Sequence, residues 1–139
     1  MERIIIILSI IIVVSVAVLG IIQSDYREKS FNATLAIKQA DVVKISMEIN
    51  GKTKTTTDQV KINELFTYFN RVSYKRLRGD QTSHMPSKAA IIYLDGNKQH
   101  DFIVPYNNEA MISYKVYQVK HGQITNDFLI KYYHRLDNS

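Results

Sequence analysis

The chain has 139 residues, of which 45% are hydrophobic and 22% are charged, a composition typical of one small globular domain together with an apolar segment. It contains no cysteine, which excludes disulfides, thiolate metal sites, a cysteine nucleophile and a lipid-modified cysteine. The formal net charge of +5 favours anionic lipid headgroups, anionic wall polymers or a protein as partners, and we do not expect nucleic acid.

The most apolar part of the chain is residues 4–22, IIIILSIIIVVSVAVLGII, which are 19 residues without a charge. As a helix this segment is about 28 Å long, close to the ~30 Å hydrocarbon core of a bilayer. We expect residues 1–22 to form an uncleaved, single-pass transmembrane anchor. The alternatives are a signal sequence cleaved after Val18-Leu19-Gly20, which would release a secreted domain, and a buried core helix.

The charges on either side of this segment leave its orientation open. Arg3 lies on one side, and Arg27 and Lys29 lie on the other, so the positive-inside rule gives almost no preference. An N-terminal anchor that precedes one globular domain commonly exports that domain, so we expect residues 42–139 to be extracytoplasmic. The richness in Ile, Lys, Asn and Tyr and the absence of cysteine are compatible with the cell membrane of a Gram-positive bacterium.

A hairpin is the first folded element that the sequence predicts. Residues 23–41 are polar and weakly helical, and they are expected to form a stalk or linker or, alternatively, a first peripheral helix. Apolar and polar residues alternate over 43–49, which predicts a half-buried strand. Asn50-Gly51, the preferred pair for a type I′ turn, follows, and KTKTTT predicts the returning strand.

A helix and a basic connector are expected next. Asp58 is a suitable N-cap, and the apolar residues after it recur at helical spacing: Ile62, Leu65, Phe66 and Phe69. Residues 73–86, SYKRLRGDQTSHMP, are expected to connect this helix to the next hairpin. The tripeptide Arg78-Gly79-Asp80 is best explained by a turn at the glycine with Asp80 capping the backbone, and we give it no adhesive role.

The last third of the chain predicts strands and a final helix. AAIIYL and HDFIV flank Asp95-Gly96-Asn97 and predict a second hairpin, whose second strand should end at Pro105. Residues 111–119, MISYKVYQV, predict one further strand before a turn at His121-Gly122. Thr125 is expected to cap a helix with one apolar face: Phe128, Leu129, Tyr132 and Leu136.

These elements predict the fold class. Their order is β-β-α-β-β-β-α, without the alternation that builds parallel sheets. We expect an α+β domain after the N-terminal transmembrane helix, with a small antiparallel sheet of about five strands, including two hairpins, packed against two helices on one face.

Residues 42–136 resemble a class of bacterial envelope domains. The resemblance lies in VVKISMEINGKTKTTTD, in the amphipathic INELFTYF, and in AAIIYLDG followed by YKVYQV. In element order and turn residues the chain resembles small membrane-anchored or lipoprotein extracytoplasmic domains of unknown function from Gram-positive bacteria. The resemblance implies a location and no activity.

Catalytic and metal chemistry have no recognisable pattern in this sequence. The histidines are scattered singly, without the close spacing of strong metal sites: His84, His100, His121 and His134. No Gly-x-Ser-x-Gly motif marks an activated serine, and the five glycines form no phosphate-binding loop. We therefore expect no catalytic residue, no metal, no cofactor and no enzyme activity.

Two groups of residues are candidates for binding. Lys75, Arg76 and Arg78 form, together with Arg71, the densest basic cluster of the chain and would suit an anionic surface or an acidic partner. Tyr114 and Tyr117 alternate with lysines and would supply aromatic contact area on an exposed sheet face. The structural alternatives are a solvated connector for the first group and half-buried tyrosines of the core for the second.

The sequence thus favours a non-catalytic, membrane-anchored binding or accessory module of the bacterial cell envelope. Its partner would be a protein of an envelope complex, an anionic lipid or a wall polymer. One alternative is an inhibitor or immunity-type protein that acts on a single membrane-proximal target. The other is a small hydrolase, which requires a histidine within hydrogen-bond reach of a serine or carboxylate inside a pocket.

Overall fold

A computed structural model of the chain describes residues 1–79, 89–106 and 108–138. These residues form four α-helices, a short 3-10 helix at Gln39–Asp41 and nine β-strands. The helices are α1 (Glu2–Asp25), α2 (Phe31–Thr34), α3 (Gln59–Phe69) and α4 (Asn126–His134). The strands are β1 (Glu28–Lys29), β2 (Val42–Ile49), β3 (Lys52–Thr56), β4 (Ser73–Arg76), β5 (Ile91–Gly96), β6 (His100–Tyr106), β7 (Glu109–Ile112), β8 (Lys115–Lys120) and β9 (Asp137–Asn138).

The strands of the described residues join in one antiparallel sheet of order β1-β4-β8-β7-β6-β5-β2-β3-β9. This confirms the α+β class and the single antiparallel sheet. The prediction of about five strands in the order β-β-α-β-β-β-α was wrong. Three of the strands that it lacked, β1, β4 and β9, have only two to four residues, too few to show an alternating pattern.

The N-terminal helix α1 has 24 residues, and its apolar segment is not buried against the domain. Its length and composition allow it to cross a membrane or to act as a signal sequence. The hydroxyls of Ser9 and Ser15 donate to the carbonyls of Ile5 and Ile11, each at 2.8 Å, so these polar groups are satisfied within the helix. The exposure excludes the buried core helix considered above.

Residues 23–41 differ from the expected stalk, because most of the segment packs on the domain. β1, α2 and the 3-10 helix lie within it. Phe31 and Ile37 are almost completely buried in the core. The Phe31 ring stacks on Phe69 at 4.9 Å between centroids and lies 5.9 Å from Tyr74. The prediction missed this because single apolar residues in a polar segment show no periodicity.

The first hairpin and the helix after it are confirmed. Asn50 and Gly51 adopt φ values of 52° and 74°, as a type I′ turn requires, and β2 pairs with β3 around them. Asp58 caps α3 by accepting a hydrogen bond from the Val60 backbone N–H at 2.8 Å. The predicted apolar face of α3 is fully buried: Ile62, Leu65, Phe66 and Phe69.

The predicted connector begins as a strand. Ser73–Arg76 forms β4, which pairs with β1 on one side and β8 on the other, so the prediction of a connector was wrong for these four residues. Its one buried residue, Tyr74, donates a hydrogen bond from its hydroxyl to the Phe69 carbonyl at 2.9 Å. The proposed cap at Asp80 and the rest of the connector, 80–86, lie outside the described residues.

A third tight hairpin replaces the expected long strand at residues 111–119. β7 and β8 are joined at Ser113 and Tyr114, with φ values of 50° and 63°. Neither residue is the glycine or asparagine that usually signals positive φ, so this turn has no recognisable sequence pattern. Pro105 does not end β6, because the strand continues to Tyr106 while Pro105 pairs with Ala110. The second hairpin, β5–β6, is confirmed.

The final helix lies beside α3. Thr125 caps α4 by accepting from the Phe128 N–H at 3.4 Å, as predicted. The Tyr132 hydroxyl donates to the Lys61 carbonyl at 2.9 Å. Arg135 binds the Glu64 carboxylate through two nitrogens, at 2.9 and 2.6 Å, and this bidentate pair joins the end of α4 to α3.

Apolar side chains cover both faces of the sheet. The main core lies between one face and the helices, and it includes Ile45, Ile92 and Ile103 together with residues of α2, α3 and α4. A smaller cluster, Val104, Met111 and Val116, lies on the other face, because each is adjacent to a residue that faces the main core. Among the described residues, the helices that contribute to the main core therefore pack against one face of the sheet, as the α+β prediction required.

Candidate functional site

The end of α1 is bonded to the edge of the sheet through a carboxylate. Asp25, the last residue of α1, forms ion pairs with Arg76 at the end of β4, with Lys29 of β1 at 3.2 Å and with Lys115 of β8 at 4.0 Å. We call these four residues the Asp25 cluster. The strand order β1-β4-β8 places the three cations side by side at this edge, so pairing of distant segments builds the cluster.

An aromatic ring extends the cluster. Tyr26 follows Asp25 directly, and its ring lies 5.4 Å from the Arg76 guanidinium and 5.1 Å from that of Arg78. Cations at this distance are attracted by the negative face of the ring. Tyr26 thus holds two arginines of the predicted basic cluster against the end of α1.

A groove of about 960 Å³ runs between α1 and the sheet. We call it the α1–sheet groove, and its ten lining residues are Ala17, Gly20, Ile21, Ile22, Ser24, Asp25, Tyr26, Lys29, Arg76 and Lys115. One part of its wall is apolar helix and the other is the Asp25 cluster, so the groove is amphipathic along its length. A Cβ atom at Gly20 would meet no atom within 4 Å other than those of its own stretch of α1, so the groove is open there.

The charge of the groove is positive. Three cations line it beside the single carboxylate of its wall, Asp25, and Arg78 lies next to it on Tyr26. The side chains of Arg76 and Lys115 are 27% and 44% exposed, so both remain open to a ligand. Ion pairs as exposed as these are screened by salt and contribute little to stability, whereas the positive potential of the group attracts anions.

The predicted binding residues do not share one site. Arg76 and Arg78 lie at the α1–sheet groove, and Tyr114 lines a smaller neighbouring pocket with Arg76 and Lys115. Tyr114 is 83% exposed at the tip of the β7–β8 turn. Lys75 is also exposed, but strand alternation directs it to the opposite face of the sheet from Arg76. Its position separates it from the groove.

Tyr117 belongs to the core. Its side chain is only 2% exposed, and its ring meets Tyr74 edge-on at 6.4 Å between centroids. Burial raises the pKa of Tyr117, and the nearby Arg76 cation opposes that rise. Tyr117 is therefore a tyrosine of the core, which was the alternative to a binding role. Tyr114 is the one of the two whose ring is accessible.

Several residues that line the groove were not identified from the sequence. Asp25, Tyr26 and Lys115 were not singled out, because ion pairs between residues 25, 76 and 115 depend on strand order. One signal was present: Asp25 and Tyr26 directly follow the apolar segment and its short polar extension, where aromatic and charged residues are enriched at membrane interfaces.

Histidines contact carboxylates at two other sites. His100 Nδ1 lies 3.0 Å from Asp95 Oδ1, and His121 Nε2 lies 2.7 Å from Glu28 Oε1. Ser73 also donates its hydroxyl to Glu28, and this hydrogen bond, with the charge of His121, lowers the pKa of Glu28. Each pair lines a pocket, so both meet the hydrolase criterion of a histidine within hydrogen-bond reach of a carboxylate, and the hydrolase stays an untested alternative.

The other parts of a hydrolase or a metal site are not assembled in the portion of the chain that the structure describes. Within residues 1–79, 89–106 and 108–138, no serine hydroxyl is hydrogen-bonded to a histidine. The same residues contain no group of three or more metal-ligating side chains. His84 lies outside the described residues. The absence of enzyme activity, of a metal and of a cofactor stays a prediction.

Comparison of the chain with models of known families, with curated proteins and with solved structures found no match. The resemblance to Gram-positive envelope domains therefore stays a prediction as well.

Proposed function

We propose that the chain is a non-catalytic binding or accessory module of the bacterial cell envelope, held at the outer surface of the cell membrane by α1 as an uncleaved anchor. The observation that carries this proposal is the Asp25 cluster, in which the last residue of the apolar helix is ion-paired with β1, β4 and β8 of the folded domain. The helix end is thus part of the structure of the domain.

The contacts of α1 favour an anchor over a cleaved signal. Signal sequences are removed, so their residues have no role in the mature fold. Here Gly20 and Ile21 line a groove together with Arg76 and Lys115. Cleavage after Gly20 would remove part of this wall and would leave Ile21 and Ile22 exposed at the new terminus. An uncleaved helix keeps both in the bilayer.

The position of the cluster along α1 places the domain at the membrane surface. Asp25 is three residues beyond Ile22, which is about 5 Å along a helix axis. The headgroup layer on each side of a bilayer is roughly 5–8 Å thick. If residues 4–22 span the hydrocarbon core, the Asp25 cluster and the turn at Tyr114 lie at the level of the headgroups. Basic and tyrosine side chains are favoured at that depth.

Topology is tested with the full chain carrying one epitope at each end, expressed in a Gram-positive host. We expect protease added to intact cells to remove the C-terminal epitope, and the N-terminal epitope to stay on the membrane-bound protein. Cells lysed before digestion serve as the control for intrinsic accessibility. A protected C-terminal epitope would place the domain in the cytoplasm, and release of the domain without the N-terminal epitope would show a cleaved signal; either result overturns the proposal.

A further inference from the structure

We propose that the α1–sheet groove binds one anionic phospholipid of the bilayer that α1 spans, with the lipid phosphate at Arg76 and Lys115 and an acyl chain along Ala17, Gly20 and Ile21. The inference deepens the proposed function and depends on α1 being in a membrane. It assigns a ligand class to a defined site on the domain.

The amphipathic wall of the groove carries the argument. Ala17, Gly20 and Ile21 belong to the apolar segment, whereas Lys29, Arg76 and Lys115 are cations of the sheet edge. A ligand that fills the groove must therefore be apolar at one end and anionic at the other. A phospholipid has this form, and its two ends lie at the same depths as the two parts of the wall.

The groove has room for an acyl chain beside the helix. Its volume of about 960 Å³ is at the upper end of ordinary small-molecule sites. Gly20 lines the groove, and the absence of a side chain at this position leaves space in it. An acyl chain in this position would contact Ala17 and Ile21 on the same helix.

The charges favour an anionic headgroup over a zwitterionic one. Asp25 neutralises part of the positive charge, but Lys29, Arg76, Lys115 and the adjacent Arg78 outnumber it. Each basic side chain near an anionic membrane surface contributes about 1 kcal/mol to the free energy of binding to that surface. Phosphatidylcholine would bring its own positively charged ammonium group toward these cations. In phosphatidylglycerol the phosphate is the only charged group of the headgroup.

The same wall distinguishes a lipid from a wall polymer. A glycerol phosphate polymer would match the cations, but it has no part that would cover the apolar helix surface at Ala17 and Ile21. Because α1 lies in the bilayer, a lipid reaches both the cations and this apolar surface, whereas a polymer in the aqueous phase reaches the cations alone. The structure therefore favours the lipid, and the polymer becomes one outcome of the test.

The test uses the purified full chain in nonionic detergent micelles and follows thermal unfolding. Dioctanoyl phosphatidylglycerol, dioctanoyl phosphatidylcholine and a soluble poly(glycerol phosphate) are added separately at equal phosphate concentration. We expect phosphatidylglycerol alone to raise the Tm, by about 5 °C at saturating lipid. Equal shifts with the two lipids would overturn the headgroup assignment, and an equal shift with the polymer would replace the lipid by an anionic polymer.

Two variants test the two parts of the groove. Arg78→Glu with Lys115→Glu should reduce the phosphatidylglycerol shift to that of phosphatidylcholine. Lys52→Glu with Lys98→Glu, two exposed lysines elsewhere in the domain, changes the net charge equally and should keep the full shift. Equal loss in both double variants would show that only net charge matters, and the site would then be rejected.

Gly20→Phe tests the apolar part without changing any charge. It should abolish the shift because the new ring occupies the acyl-chain position, while Val13→Phe elsewhere on α1 should leave the shift unchanged. An undiminished shift in Gly20→Phe would remove the acyl chain from the proposal. Because these measurements are made in micelles, they do not depend on topology or signal cleavage, so the proposed function and the lipid site can fail separately.

Discussion

The carboxylate of Asp101, on β6, accepts a hydrogen bond from the backbone N–H of Ala36 at 2.6 Å. The same carboxylate accepts from the Phe102 N–H at 2.8 Å and from the Ser113 hydroxyl at 2.5 Å. Asp101 is only 7% exposed. One buried carboxylate thus joins the segment before β2, the middle of the sheet and the β7–β8 turn, with its oxygens satisfied by three donors.

Asp101→Ala should be strongly destabilising. It leaves the Ala36 N–H and the Ser113 hydroxyl without their acceptor, and we expect the free energy of unfolding to fall by about 3 kcal/mol. Urea denaturation of the full chain in detergent micelles measures the loss. Asp95→Ala is the matched control, because Asp95 pairs with the more exposed His100 and Lys44 and its loss should cost less than about 1 kcal/mol. Similar losses in both variants would contradict the role assigned to Asp101.

Phe31→Ala tests whether the segment expected to be a stalk is part of the core. Phe31 is fully buried between Phe66, Phe69 and Tyr74. Its truncation should lower the free energy of unfolding by about 3–5 kcal/mol. Val60→Ala, at a side chain that is 76% exposed, should change it by less than about 0.5 kcal/mol. A small effect of Phe31→Ala in the same urea experiment would show that residues 23–41 are a linker and contribute little to the core.

The parts of the fold that the sequence predicted are those determined by neighbouring residues. Asn50-Gly51 fixes its turn through the φ values that both residues tolerate. Asp58 and Thr125 cap helices through bonds to residues two and three positions away. The apolar face of α3 follows from helical spacing alone. In each case the information lies within a few residues of the structure it specifies.

The parts that could not be predicted depend on distant pairing. Ser73–Arg76 becomes a strand only because residues of β1 and β8 pair on both sides of it. The turn at Tyr114 has no turn residue in its sequence, and the hydrogen bond from Ser113 to Asp101 is 12 residues distant. At the candidate site, Arg76 and Arg78 were visible as a charge cluster. Asp25, the carboxylate that pairs with Arg76, was not, because it lies 51 residues from Arg76 along the chain.

The buried tyrosines should make the protein sensitive to alkali. Burial raises the pKa of Tyr74 and of Tyr132 well above the ordinary value of 10.0. In the unfolded chain both ionise near pH 10 and in the folded chain only at higher pH. The free energy of unfolding should therefore be unaffected below pH 10 and fall above it, by up to about 1.4 kcal/mol per pH unit for each residue.

Urea midpoints from pH 8 to 11 measure this dependence. The variant Tyr74→Phe with Tyr132→Phe should lose stability less steeply above pH 10 than the unaltered chain does. Tyr114→Phe, which removes a hydroxyl from an exposed ring, is the control for the chemical change. Identical slopes in the double variant and the unaltered chain would show that other groups dominate the alkaline unfolding.

Tyr114 offers a direct measure of how close the domain lies to the bilayer. The chain contains no tryptophan, so Tyr114→Trp introduces a single tryptophan at the tip of the β7–β8 turn, whose emission can be excited selectively over that of the tyrosines. In phosphatidylglycerol-containing vesicles with brominated acyl chains, we expect its emission to shift to the blue and to be quenched. Ile130→Trp, at a half-exposed position on α4, should be quenched less. Equal quenching at both positions would contradict a membrane-proximal turn.

The strand order has a consequence for how the protein folds. β1 and β4 are connected to the other strands only through β8 in the described residues, and β8 begins at Lys115. The sheet edge beside α1 therefore cannot close until nearly the whole chain has been synthesised, although α1 is made first. Pairings of high contact order form slowly, because a long loop must be closed before any contact is gained. In an anchored chain, β1 and β4 would therefore stay unpaired with the rest of the sheet until β8 has been synthesised, and the contact between Asp25 and Lys115 could not form earlier.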